Sequence, residues 1–118
     1  MEMTFYDSSG QPVAYCEDEI HIYLFSGEPV AYFSGDSKYS FSGKHLGRFD
    51  DGWVIDNRGG RVFFNEYAQG GPFRPFKGFR PFKAFKQFMP FKGFKEFRPN
   101  RPFTSLAWSE LSGKAFFN

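Results

Sequence analysis

The side chains from which a metal site or an activated nucleophile would be built are few in this chain: His21, His45 and Cys16 are its only histidines and its only cysteine. Their separations match no zinc or haem ligand spacing, and a single thiol cannot close an internal disulfide. Asp50 and Asp51 are adjacent in a polar connector, an arrangement that suits a solvated turn rather than a general acid and base facing each other across a substrate. No phosphate-cradling glycine loop, dinucleotide fingerprint, nucleophile elbow or zincin pattern occurs. These residues therefore predict no enzyme, no metal and no cofactor, and His45, in a slot next to a turn, is expected at the surface.

The chemistry that the sequence does repeat is aromatic and cationic. Phenylalanine recurs at every third position, as Phe73, Phe76, Phe79, Phe82, Phe85, Phe88, Phe91, Phe94 and Phe97. The residue after each is basic except Met89: Arg74, Lys77, Arg80, Lys83, Lys86, Lys92, Lys95 and Arg98. The third place holds Pro75, Gly78, Pro81, Ala84, Gln87, Pro90, Gly93, Glu96 and Pro99. Rings interleaved with cations suit three kinds of partner: a protein surface, including another copy of this chain; an anionic membrane surface; or single-stranded nucleic acid. The nine phenylalanines and Lys77, Lys83, Lys86, Lys92 and Lys95 are the candidate binding residues.

A period of three selects the backbone. An α-helix turns about 100° per residue, so the phenylalanines would wind around it. A strand would throw them alternately to opposite faces. A 3-10 helix rarely runs beyond a few residues and loses donors at each proline. Polyproline II has three residues per turn and no internal hydrogen bonds, so it accepts proline and gives three faces. The segment is therefore expected to be extended with the phenylalanine face buried. At about 3.1 Å per residue, the span from Phe73 to Phe97 would be about 74 Å, longer than a small domain. The segment must then project, meet other molecules, or bend around its own head, with Gly78 and Gly93 as the places for bending.

The elements that would carry this tail lie before it. Four lines repeat with glycines 17, 16 and 16 residues apart: Tyr6 to Tyr15 around Gly10, Tyr23 to Tyr32 around Gly27, Tyr39 to Arg48 around Gly43, and Ile55 to Phe64 around Gly59. Each reads as a β-hairpin whose glycine supplies the positive φ of a tight turn. With Ser9-Gly10, Ser26-Gly27, Ser42-Gly43, and Arg58-Gly59 or Gly59-Gly60 at the turn centres, the cross-strand pairs are Tyr6/Val13, Tyr23/Val30, Tyr39/Leu46 and Ile55/Val62. Isolated hairpins are marginal in water and present open edges. Four of them are expected to close into a small pseudo-fourfold, all-β barrel or rosette.

Charge divides the chain at the same place. Residues 1–71 hold 5 Lys and Arg against 11 Asp and Glu, net −6, and residues 72–118 hold 10 against 2, net +8. The organisation expected is a four-hairpin head (1–71), a basic triplet tail (72–103) and a short docking segment (104–118). In that last segment Thr104 to Leu111 suggests one or two helical turns capped by Thr104 or Ser105, stopped by Gly113 and docked through Trp108 and Leu111.

The run from Tyr39 to Trp53, the preceding Ser26-Gly-Glu-Pro-Val-Ala-Tyr32, the proline and lysine triplets and Ser105-Leu-Ala-Trp-Ser109 together resemble the four-fold β-flower proteins, a family of small bacterial proteins. The resemblance implies the fold and carries over no activity or functional residue. This chain departs from it by placing phenylalanine where the family more often has aliphatic residues. The function expected is a non-enzymatic structural or assembly module, with self-association ahead of membrane binding and of nucleic-acid binding. No secretory signal or apolar span is seen, so the expected location is cytoplasmic or peripheral at a membrane.

Overall fold

Serine, glycine and aspartate at the four turns fix the architecture locally. The computed structural model describes residues 2–118. In the first hairpin, the Gly10 N–H donates to the Asp7 carbonyl at 2.9 Å and the Asp7 N–H to the Gln11 carbonyl at 3.0 Å. Ser8 and Ser9 thus occupy the turn centre and Gly10 follows at φ 81°, a conformation that costs other residues strain. The same pair of bonds recurs about Leu24/Gly27, Ser40/Gly43 and Asp56/Gly59. The turn centres therefore lie one residue earlier than the sequence suggested.

Eight strands result: β1 (Met3–Tyr6), β2 (Pro12–Cys16), β3 (His21–Leu24), β4 (Pro29–Ser34), β5 (Ser37–Tyr39), β6 (His45–Asp50), β7 (Trp53–Asp56) and β8 (Arg61–Phe64). They pair in chain order into a closed antiparallel barrel, as the four hairpins lead one to expect. The seam between β1 and β8 rests on a single pair, Tyr6 with Phe64.

The expected cross-strand pairs are off by one residue, in all four hairpins alike. Tyr6 faces Pro12, Tyr23 faces Pro29, Tyr39 faces His45 and Ile55 faces Arg61. Val13, Val30, Leu46 and Val62 are each skipped by a bulge next to that pair. Beyond the bulge the expected register returns, with Phe5 opposite Ala14, Ile22 opposite Ala31, Lys38 opposite Gly47 and Val54 opposite Phe63. The bulge turns the skipped residue toward the interior beside its neighbour and twists the strand end outward.

Both faces of the barrel wall are buried. Inside lie Phe5, Ala14, Cys16, Ile22, Leu24, Ala31, Leu46, Val54, Val62 and Phe63. One interior layer, five residues before each turn glycine, reads Phe5, Ile22, Lys38, Val54, so a lysine replaces one apolar member. Lys38 is 1% exposed, its ammonium 3.8 Å from the centre of the Phe5 ring and 4.6 Å from that of Phe33. Burial pushes its pKa well below the usual lysine range. Outside, Tyr15 stacks on Tyr23, Tyr32 on Tyr39 and Tyr6 on Phe64, with ring centres 5.9, 6.1 and 5.5 Å apart.

The C-terminal segment departs from expectation. Residues 104–111 are not helical; Trp108 instead forms a parallel bridge with Arg61 and packs edge-on against Trp53 at 5.4 Å, while Leu111 stays exposed. The helical turn comes later, as a 3-10 turn at Lys114–Phe117. Gly113, at φ 117°, precedes it rather than ending a helix. Phe116 and Phe117 pack on Phe63, plugging the barrel end that carries the hairpin turns.

Candidate functional site

The triplet segment is a belt around the barrel. It has neither helix nor strand, and among the described residues no backbone hydrogen bond joins two of its members. Its inward N–H groups donate to the head instead. Gly78, Gln87, Glu96 and Ser105 donate to the carbonyls of Gly10, Gly27, Gly43 and Gly59 at 2.7, 2.9, 2.8 and 2.8 Å. Ala84 and Gly93 donate to Phe25 and Phe41 at 2.9 and 2.7 Å. The primary donors are nine residues apart, so three triplets span one hairpin. The carbonyls of Phe76, Phe85, Phe94 and Phe103 lie against the α-carbons of the same four glycines, where a β-carbon would collide with them. Each turn glycine is thus required twice, for its φ and for the belt's approach.

This arrangement explains where proline stands. Positions 81, 90 and 99 fall between hairpins, and all three are proline, which has no N–H to donate. Pro75 and Pro102 occupy the places equivalent to Ala84 and Gly93 and forgo that second bond. The nine-residue recurrence of Pro72, Pro81, Pro90 and Pro99 is the signal in the sequence that could have identified the inward face.

The phenylalanine face is outward. Phe73, Phe76, Phe79, Phe82, Phe85, Phe88, Phe91, Phe94, Phe97 and Phe103 are each between 87% and 102% exposed. This corrects the expectation of a buried phenylalanine face: the period of three is kept by the inward places, where the N–H groups of Gly78, Ala84, Gln87, Gly93 and Glu96 bond the head. Gly78 and Gly93, the expected places for bending, do not take a positive φ. Gly93 is needed because a β-carbon there would meet the Ser42 carbonyl.

The cationic face lies over the outer tyrosines and reaches the connectors between hairpins. Lys83 and Lys86 sit 4.7 and 5.3 Å from the ring centres of Tyr15 and Tyr23, and Lys92 sits 4.5 Å from Tyr32. Lys83 bonds Glu2 and, at 2.7 Å, Glu17, which Lys86 also bonds at 2.6 Å. These lysine bonds hold the Glu17 carboxyl below its ordinary range. Arg98 and Arg101 pair with Asp36; burial raises that carboxyl, but the two arginines outweigh it and its pKa falls. Exposed pairs of this kind contribute about 0–1 kcal/mol each, so they orient the belt more than they hold it.

Several supporting residues had no sequence signal of their own. Glu96 takes an inward place and accepts the His45 N–H at 2.8 Å. The Arg61 guanidinium donates to the Ser105 carbonyl at 2.9 Å, and that of Arg48 to the Pro99 carbonyl at 2.5 Å. His45, expected at the surface, is buried. Asn57 donates its amide to the His45 carbonyl, which orients its oxygen to accept from Nδ1 at 2.9 Å and leaves Nε2 to accept from Ser37 at 3.0 Å. Burial lowers its pKa, and a neutral, fully bonded ring is a packing element. His21 bonds Asp18 at 2.6 Å. Among the described residues no three His, Cys, Asp or Glu gather as a metal site would need, and no helix is long and apolar enough to cross a membrane.

The fourfold repetition agrees with comparison, since the model of the 4-fold beta flower protein family matches residues 3–117. The chain belongs to that family. The match covers belt and C-terminal plug as well as the barrel, so the β-flower comprises all three. No curated protein and no solved structure matches the chain.

Proposed function

We propose that this β-flower is a non-enzymatic structural module whose belt, in polyproline II conformation, presents phenylalanine for docking, above all to other copies of the chain. The observation that carries this reading is the outward row of ten phenylalanines. At about 200 Å² per ring the row offers on the order of 2,000 Å², whereas the largest apolar patch on a typical monomer is about 300–600 Å². Such exposure opposes solubility and has no role in holding the belt, which its backbone hydrogen bonds to the turns already do.

The inward turn of the cations separates this reading from membrane binding. Lys83, Lys86, Arg98 and Arg101 are engaged by carboxylates of the head, which leaves less charge for anionic headgroups. The same pairing disfavours nucleic acid.

Sedimentation of the full chain and of a Phe82→Ser, Phe85→Ser, Phe88→Ser variant tests the reading, with near-ultraviolet circular dichroism to check the fold. We expect the wild type to associate and the variant to shift toward monomer with its dichroism unchanged. A wild type that stays monomeric but pellets with anionic vesicles, and stops doing so when Lys77, Lys83, Lys86, Lys92 and Lys95 become Gln, overturns it in favour of lipid.

A further inference from the structure

Resting on that docking reading, we infer that the partner is a second copy met edge to edge, and that the assembly is open and planar rather than a closed dimer. The belt touches the four turns through residues 76, 85, 94 and 103, so 27 residues pass from the first hairpin to the fourth. At about 3.1 Å per residue that path is about 84 Å; over three quarters of a circle it implies a wheel about 36 Å across. The protein measures 36 × 35 × 24 Å, in agreement. The phenylalanines therefore stand on the convex edge of a disc, about 9 Å and roughly 30° of arc apart.

Convexity limits each contact. Where two such edges meet, the phenylalanines one step to either side already recede by roughly 3 Å on each disc, so about three per copy can engage, given the rise above. Three rings expose about 600 Å², less than the ~800 Å² per partner of an ordinary stable interface. A single contact is thus weak and cannot saturate the edge, since ten phenylalanines provide about three such arcs pointing in different directions. Each copy can then hold several neighbours in the plane of the disc. The chain's own charge does not oppose this: it is only +2 overall, and small net charge favours association. The quadrant between the fourth hairpin and the first, closed by the C-terminal segment, carries only Phe73 of the belt phenylalanines and leaves a gap in the ring of contacts.

Light scattering of the full chain across concentration, with imaging of the particles by electron microscopy, tests the inference. The expected result is a mass that keeps rising with concentration, with no plateau at two copies, and assemblies one disc thick. Removing one arc with Phe82→Ser, Phe85→Ser and Phe88→Ser should raise the concentration at which large species form about tenfold or more, and replacing all ten phenylalanines with Ser should abolish them. A mass that levels off at two copies overturns the open assembly while leaving the docking reading intact. A wild type that remains monomeric throughout overturns both. Thick or fibrous particles overturn the edge-to-edge geometry.

Discussion

Replacing Gln87 with proline tests whether the belt is held by its inward N–H groups. The Gln87 N–H donates to the Gly27 carbonyl at 2.9 Å, and Gly27 is buried. Proline removes that bond and leaves the carbonyl where water reaches it poorly, which costs about 1–3 kcal/mol. Proline also restricts the unfolded chain, which offsets about 0.4–1 kcal/mol where the native backbone suits it. The net loss is about 1–2 kcal/mol, a roughly 5- to 30-fold rise in the population with this stretch of belt open. Phe88→Pro is the control one residue along: the Phe88 N–H has no protein acceptor among the described residues, so proline there should be neutral or stabilise by up to about 1 kcal/mol. Hydrogen exchange at the amides of Ala84 and Gly93 reads belt opening directly. Both should exchange 5- to 30-fold faster in Gln87→Pro by the same estimate and no faster in Phe88→Pro. Wild-type rates in Gln87→Pro, or equal loss of protection in both variants, would refute the assignment of belt stability to the inward donors.

Lys38→Met should stabilise the barrel, because the folded state holds the amine at a depressed pKa while the unfolded chain keeps it near 10.4. Wild-type stability therefore falls as pH drops below the unfolded value until the folded amine takes up its proton. Urea melts at pH 7 and pH 10 should show a larger gain for Lys38→Met at pH 7. Asp18 contributes stability where Lys38 costs it, although both effects weaken the fold as pH falls: burial raises its carboxyl, but hydrogen bonds from His21 and from the His21 and Ile20 amides prevail and bring it to about 2. Its contribution is present above pH 4 and lost as pH falls toward 2; a carboxyl titration by NMR with a midpoint near 4 would contradict this. Gly43→Ala, at φ 101° and against the Phe94 carbonyl, should cost at least about 1–3 kcal/mol from backbone strain alone, and should loosen the belt near Glu96 before the barrel melts.

Much of the fold could be read from the sequence because glycine spacing reports turns directly. Gly10, Gly27, Gly43 and Gly59 marked four hairpins, and counting outward from them gave the pairing beyond each bulge. The bulges at Val13, Val30, Leu46 and Val62 were hidden, since an apolar residue suits either face and only the three-residue turn loop displaces the pairing. The belt's period was equally plain but its orientation was not. Phenylalanine has the greatest gain from burial, which argued for an inward aromatic face. The deciding term was backbone hydrogen bonding to the turns, and that term leaves its trace in prolines rather than in rings. The glycine alignment sets Lys38 against Phe5, Ile22 and Val54, but only the closed barrel shows that this position faces inward.

The matching of nine belt residues to each hairpin also constrains how the gene can change length. The spacing between turn glycines already varies between 17 and 16, because a connector can lose a residue without moving the turns. The belt has no such slack. Deleting one triplet preserves its period and its three faces, yet slides every downstream residue by a third of a hairpin and sets Pro90 or Pro99 against a carbonyl that needs a donor. Insertions or deletions in this segment should therefore survive selection only in steps of nine, together with the gain or loss of a whole hairpin, so that barrel and belt lengthen or shorten as one unit.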